Sequence, residues 1–223
     1  MMIWNRIPKK RRIEVLTGLL LLAAVLAVFL WPKGAKRAVT GENLLKDGSF
    51  AEMAEKGAGA WYEDAYVNRS TYTAYDFVTE EDGSVAAHIV NMLANDARFA
   101  QIVSVQPDSL YCLEGDVKAS AQGGLGANLS VEGPYVFSES LYDQPEWTHI
   151  RLYGRTSGDQ RSVTVFARLG GYSGEATGEA WFRNIRLTEV DEVPEGYWTY
   201  DWYQKQSQAV VKHDQEEESS EPV

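Results

Sequence analysis

From Asn43 onward, apolar and polar residues alternate in short runs. In 163–169, Val163, Val165, Ala167 and Leu169 fall on one face, with Thr164, Phe166 and Arg168 on the other. Ile150, Leu152 and Gly154 alternate with His149, Arg151, Tyr153 and Arg155. Tyr111, Leu113, Gly115, Val117 and Ala119 alternate with Cys112, Glu114, Asp116 and Lys118. A period of two sends successive side chains to opposite sides of a strand, so each run predicts a strand with one buried and one polar face. Turn signals at Asp82-Gly83, Pro107-Asp108 and Gly123-Gly124 separate the runs, GLGA (124–127) and GGYSG (170–174) read as loops, and no long helical period intervenes. About eight to ten such strands over 43–190 predict an all-β fold, an antiparallel jelly-roll β-sandwich. The same phase places Trp147 and Trp181 with apolar neighbours in the core.

The pattern changes at both ends. Residues 15–31 (VLTGLLLLAAVLAVFLW) carry no charge, and as a helix they would span about 25 Å, slightly short of a hydrocarbon core of ~30 Å. Trp4 and Trp31 suit interfacial anchoring, and Pro32 closes the helix. The run exceeds the usual apolar stretch of a signal peptide, and AKRA (35–38) is a poor cleavage site; an uncleaved transmembrane anchor is favoured over a cleaved signal or a buried helix. More cations precede the run than follow it, which predicts a cytoplasmic segment 1–14 and an extracytoplasmic sandwich on the cell membrane. Residues 32–42 read as a tether. Beyond Val190, the stretch 191–206 is rich in Tyr and Trp, and reads either as a strap packed on the sandwich or as a segment that meets a partner or the membrane interface. Residues 207–223 predict an acidic disordered tail.

Charge sharpens this division. Residues 1–37 hold eight basic residues against Glu14, a net +7, so the overall −11 leaves −18 for the remainder. A body so acidic repels a phosphate backbone, and nucleic acid is excluded as a partner. The single cysteine, Cys112, rules out an intrachain disulfide and CxxC zinc sites; on the polar phase of its run it is either a partly exposed thiol or a small buried residue. His88, His149 and His213 form no metal-binding pattern, and nucleophile-elbow, phosphate-loop and dinucleotide motifs are missing. The carboxylates at 80–82 and 191–192 read as a turn and a boundary rather than a hydrolytic pair. The sequence gives no reason to expect an enzyme.

Asn43 to Leu187 resembles the family 4/9 carbohydrate-binding modules, which have a galactose-binding-like jelly-roll fold. The resemblance is carried by NLLKDGSF (43–50), Trp61, NDARFAQIVSVQPDSLYCLEGDV (95–117), EWTHIRLYGRT (146–156), VTVFARLGG (163–171) and GEAWFRNIRL (178–187). The segment from NDARFAQ to ARLGGYSG is also similar to the extracytoplasmic sandwich of some bacterial membrane glycosyltransferases. The resemblance implies glycan as the partner, without catalysis; the alternative is an accessory protein that docks on an envelope glycosyltransferase. It also implies a structural calcium, with Glu52, Asn184 and the backbone near Asp47 as candidate ligands. Ala51 and Arg183 depart from the pattern, a cation at 183 opposes an oxygen shell, and Arg183 instead suits a salt bridge.

Sugar recognition needs flat aromatic faces and forked polar groups. Phe166, Arg168, Arg151 and Tyr153 point outward from their strands and are candidates to line a concave sheet. Trp61, Tyr66, Asn95, Arg98, Tyr135, Arg168 and Tyr172 are the candidate binding residues, and each aromatic has core or rim packing as its alternative. For Arg98 and Arg168 the alternative is an ion pair with Glu132 or Asp96. Asn68-Arg69-Ser70 and Asn128-Leu129-Ser130 fit the glycosylation pattern.

Overall fold

The computed structural model describes residues 41–203 and 209–212. A short helix α1 (Ala51–Lys56) precedes eleven strands. These are β1 (Tyr62–Ala65), β2 (Thr73–Thr79), β3 (Val85–Asn95), β4 (Ala97–Ser104), β5 (Leu110–Gln122), β6 (Ala127–Val131), β7 (Asp143–Arg155), β8 (Ser162–Leu169), β9 (Ala176–Val190), β10 (Trp198–Asp201) and β11 (Ala209–Lys212). They form a four-stranded sheet, β1-β4-β8-β6, and a seven-stranded sheet, β11-β10-β7-β5-β9-β3-β2. All pairings are antiparallel except β10 with β7. The β-sandwich expected from the alternation is present. The predicted anchor (15–31) and cytoplasmic segment (1–14) lie outside the described residues, as do 32–40 of the tether; no helix among the described residues is long and apolar enough to cross a membrane.

The phase assignments hold on the inner faces. Val163, Val165, Ala167 and Leu169 of β8 meet Tyr111, Leu113 and Val117 of β5 and Ile150 and Leu152 of β7 in one core. Phe50, Trp61 and Phe99 form its aromatic centre, with Phe50–Trp61 ring centroids 4.8 Å apart and Phe50–Phe99 5.7 Å. Burying each such ring contributes about 2–3 kcal/mol.

The outer faces depart from expectation. Phe166 and Arg168 are buried, because the segment 133–142 and the turn at 170–175 cover this side of β8. Trp147 and Trp181 are not core residues: an irregularity in β7, where Gln144 to Thr148 face only Ala119 to Val117 of β5, and the outward phase of β9 leave both half-exposed on the outer face of the seven-stranded sheet. Helix α1 shows no period in the sequence because its six residues make fewer than two turns. The Asp47 carboxylate starts it, accepting hydrogen bonds from the N–H groups of Glu52 and Met53, and Gly57 in the left-handed region (φ 65°) ends it.

The strap packs on the sandwich. Trp202 lies buried over Gly154, where the missing Cβ leaves room for the indole, and its ring stacks 6.2 Å from Tyr111. The acidic tail is not wholly irregular, because its residues Ala209–Lys212 pair as β11 with β10. The Leu44 N–H bonds to the Leu187 carbonyl and the Trp202 N–H to the Arg155 carbonyl, so Leu44 and Trp202 lie toward the same end of the sandwich. The turns at 66–72, 92–96, 123–126 and 170–175 gather at the opposite end, linked by Tyr66 to Asp96, Leu125 to Gly174 and Gly170 to Gly126.

Candidate functional site

The outer face of the four-stranded sheet reads as rows across its strands. Asp64, Arg98, Arg168 and Asn128 stand side by side on β1, β4, β8 and β6, and the next row is Tyr62, Ala100, Phe166 and Ser130. Asp96, just ahead of β4, joins the two arginines. It accepts a 2.6 Å hydrogen bond from Arg168 Nε and a further one from Arg168 Nη2, while Arg98 Nη1 donates to it at 3.0 Å. Arg98 Nε also donates to Asp64 at 2.7 Å. Burial works against the Arg98 charge, but Asp96 and Asp64 outweigh it and hold the guanidinium above its ordinary pKa.

Aromatic rings surround this network. The Arg98 guanidinium lies 5.0 Å from the Phe166 centroid, and that of Arg168 lies 4.3 Å from Tyr172 and 5.5 Å from Phe137. Tyr135 donates its hydroxyl hydrogen to the Tyr172 carbonyl at 2.7 Å, and the two rings lie 6.1 Å apart. Tyr62 and Tyr135 are 44 % and 45 % exposed. Neighbouring Glu132 accepts from Thr164 Oγ1 at 2.6 Å, and Tyr62 titrates above its ordinary value through burial and the Glu132 charge.

The seven proposed binding residues therefore separate. Arg98, Arg168, Tyr135 and Tyr172 meet on this face, although Arg168 is 0 % exposed and can act only by holding the others. Trp61 is no rim residue: it is 2 % exposed, stacked on Phe50, with its indole N–H donated to the Asp47 carbonyl. Asn95 is a buried clamp, accepting from the Val67 N–H and donating to the Val67 carbonyl and Thr73 Oγ1. Tyr66 is 75 % exposed in the turn after β1. Arg151 and Tyr153 belong to the other sheet, so they do not share a surface with Phe166 and Arg168. Sequence reasoning passed over Tyr62 and Asp64, which alternate directly behind Trp61 and were open to the same period-of-two argument.

On the seven-stranded sheet, Trp147 carries Arg183 at 4.2 Å and Lys118 at 4.3 Å, and Trp181 stacks on His88 at 4.5 Å. Lys118 pairs with Glu80, Arg183 with Asp82, and His88 with Glu179. These rings are committed to internal partners. Cys112 is the small buried residue of the two alternatives, and its thiol is pushed up to about 12, first by burial and then by the Glu114 charge. Asn128 is fully buried, so its glycosylation motif is inaccessible in the folded chain.

The proposed calcium ligands do not form a donor shell. The Asp47 carbonyl accepts from the Phe50 N–H and the Trp61 indole, its carboxylate oxygens cap α1, Glu52 pairs with Lys56, and Asn184 donates to Asp116. Arg183 stands 3.8 Å from the same Asp116 carboxylate, and among the described residues no group of three His, Cys, Asp or Glu side chains is placed to hold a metal.

No protein-family model and no curated protein matches this sequence. Solved structures do. The enzymatically active domain of tailspike protein 4 of bacteriophage CBA120 aligns over 66 % of this chain at 10 % identity and a TM-score of 0.50. That alignment spans only 21 % of the tailspike chain. TmCBM61, solved with β-1,4-galactotriose, aligns over 67 % of this chain and 99 % of its own, at 15 % identity and a TM-score of 0.46. A family 11 carbohydrate-binding module of a cellulosomal cellulase of Clostridium thermocellum aligns over 70 % and 99 %, at 12 % identity and a TM-score of 0.41. The likeness to the tailspike domain is one of fold alone.

Proposed function

We propose that this sandwich is a non-catalytic carbohydrate-binding module, and that the outer face of its four-stranded sheet is the glycan site. The observation that carries this reading is that the exposed rings of Tyr62 and Tyr135 share this face with a clamped Arg98, Tyr172 lying beside Tyr135. Aromatic faces receive the C–H surface of a pyranose, while Arg98, Asp64 and Glu132 offer donors and acceptors for its hydroxyls. Arg168 and Asp96 serve beneath as the fixed base. Residues 15–31 anchor the chain with its N-terminus in the cytoplasm and the sandwich outside the cell membrane.

Affinity electrophoresis of the full chain through a panel of soluble polysaccharides tests the proposal. At least one should retard it, and Tyr62→Ala and Tyr135→Ala should each weaken that binding about tenfold, or ~1.4 kcal/mol. Unchanged retardation in the double variant would place the site elsewhere. For the anchor, Lys9→Cys should resist an impermeant thiol reagent in intact cells while Ser70→Cys reacts, both in a Cys112→Ser background.

A second reading, docking on an envelope glycosyltransferase, is favoured by one feature. Tyr66, Met92 and Leu93 are all largely exposed at the loop end of the sandwich. Co-purification with a multi-pass glycosyltransferase, lost in Tyr66→Ser with Leu93→Ser and joined to a lack of retardation by any glycan, would favour that reading.

A further inference from the structure

The strap does more than seal the core. β10 pairs with β7 only at Tyr153, Gly154 and Arg155, whereas β7 begins at Asp143. Beside the stretch of β7 ahead of Tyr153 lies a cleft of about 250 Å³, bounded by the strap on one side and by Phe137, Ser138 and Glu139 on the other. Trp198 stands in its wall and is 44 % exposed. Tyr197 packs edge-on against Tyr153, with centroids 5.1 Å apart.

The cleft also holds fixed polar groups. Arg151 Nε donates to Glu114 at 2.9 Å and Nη1 to the Tyr197 hydroxyl at 3.4 Å, and among the described residues nothing engages Nη2. Its neighbour His149 is held by Asp116 at 2.8 Å and Glu114 at 3.2 Å. Glu139 is exposed at the opposite rim. We propose that this cleft is a second carbohydrate site, shaped for a neutral sugar ring stacked on Trp198 with its hydroxyls between Arg151 and Glu139. An anionic ligand would meet Glu139, and an apolar one would strand Arg151 and Glu139 without water. A polyhydroxylated ring satisfies both the aromatic wall and the polar groups.

The cleft adjoins the face already described but is separate from it. Phe137 divides them: one side of its loop faces the cleft, while its ring contacts Tyr135 at 5.0 Å and lies 5.5 Å from Arg168. Two sites on one body would raise the retention of a polysaccharide over that of a short fragment without any new contact. This inference shares with the proposed function the assumption that the body binds glycans, and the test keeps the two apart.

The full chain is titrated with cellotriose and with β-1,4-galactotriose, two neutral trisaccharides, while the Trp198 indole N–H resonance is followed by NMR; it is assigned by its loss in Trp198→Phe. At least one trisaccharide should shift it, in the natural chain and in Tyr135→Ala alike. Trp198→Ala should lower retention on the matching polysaccharide about tenfold, and Trp198→Phe should restore most of it. A shift that persists while Tyr62→Ala and Tyr135→Ala leave retention unchanged would sustain the cleft and remove the face. Retention lost in Tyr135→Ala, with no indole shift by either sugar, would overturn the cleft and leave the face. A shift produced by an extended peptide but by neither sugar would also overturn it, assigning the open edge of β7 to strand pairing instead.

Discussion

Asp96 carries an uneven share of the candidate face, and removing it should show this. Its carboxylate is nearly buried and serves two guanidinium groups, yet only one of them depends on it fully. Arg98 keeps Asp64 when Asp96 is neutralised, whereas Arg168, fully buried, keeps only a 3.5 Å contact from its Nη1 to Ser130 Oγ. Asp96→Asn therefore leaves a buried cation without a counter-charge, a change that costs about 3–5 kcal/mol. Arg168→Met is milder at about 1–3 kcal/mol, because Asp96 then still pairs with Arg98. In a body of this size the first should lower Tm by roughly 6–20 °C. Urea unfolding at pH 7, followed by tryptophan fluorescence, measures both variants and their combination. The double variant should be more stable than Asp96→Asn alone, since it removes the stranded charge. An Asp96→Asn variant less damaging than Arg168→Met, or a double variant whose loss equals the sum of the singles, would refute the account of Asp96 as the shared counter-ion.

Gly154→Ala would set a Cβ 1.9 Å from the Trp202 indole nitrogen, so the strap must shift; a loss of about 1–3 kcal/mol and faster proteolysis within 191–203 should follow, and an unchanged digestion pattern would oppose this. With its thiol pushed up to about 12 and buried under Val193, Cys112 should resist iodoacetamide at pH 8 in the folded chain and react fully in urea. Burial raises the Glu114 carboxyl, but hydrogen bonds from Arg151 and His149 outweigh it and hold the pKa below 4.5. A group with a depressed folded pKa contributes stability above its unfolded value and loses it as pH falls through the folded one. The stability gap between the natural chain and Glu114→Gln, read from urea midpoints, should therefore be full above about pH 5 and close progressively below pH 4.5.

The sequence exposed the sandwich because its inner faces obey a simple rule. Val163, Val165, Ala167 and Leu169 are apolar for one reason, burial, and alternation reports that directly. The outer faces have two reasons to be what they are. Phe166 and Arg168 look like solvent-facing residues by phase, but the segment 133–142 and Tyr172 return over them from distant positions. Trp147 and Trp181 look like core residues by strand phase, yet Lys118, Arg183 and His88 make an outer face hospitable to them. Period and residue type cannot encode which loop returns over which strand. Trp61 was misplaced for the same reason: nothing local to it announces that Phe50 and the Asp47 carbonyl close around the indole.

The two outer faces use the same residue types and arrive at opposite accessibility, and the difference lies in where the carboxylates stand. On the seven-stranded sheet Lys118 has Glu80 and Arg183 has Asp82, so both can extend across the tryptophans and occupy them. On the four-stranded sheet one acid, Asp96, draws Arg98 and Arg168 together beside β4. Arg98 is thereby held over Phe166, and Arg168 among Phe137, Phe166 and Tyr172. Tyr62 and Tyr135 at the margins keep nearly half their surface toward solvent. An aromatic ring serves an external ligand only when the internal cations are engaged elsewhere. By that criterion the proposed glycan site falls on the face built on Asp96 and not on the tryptophan-rich one.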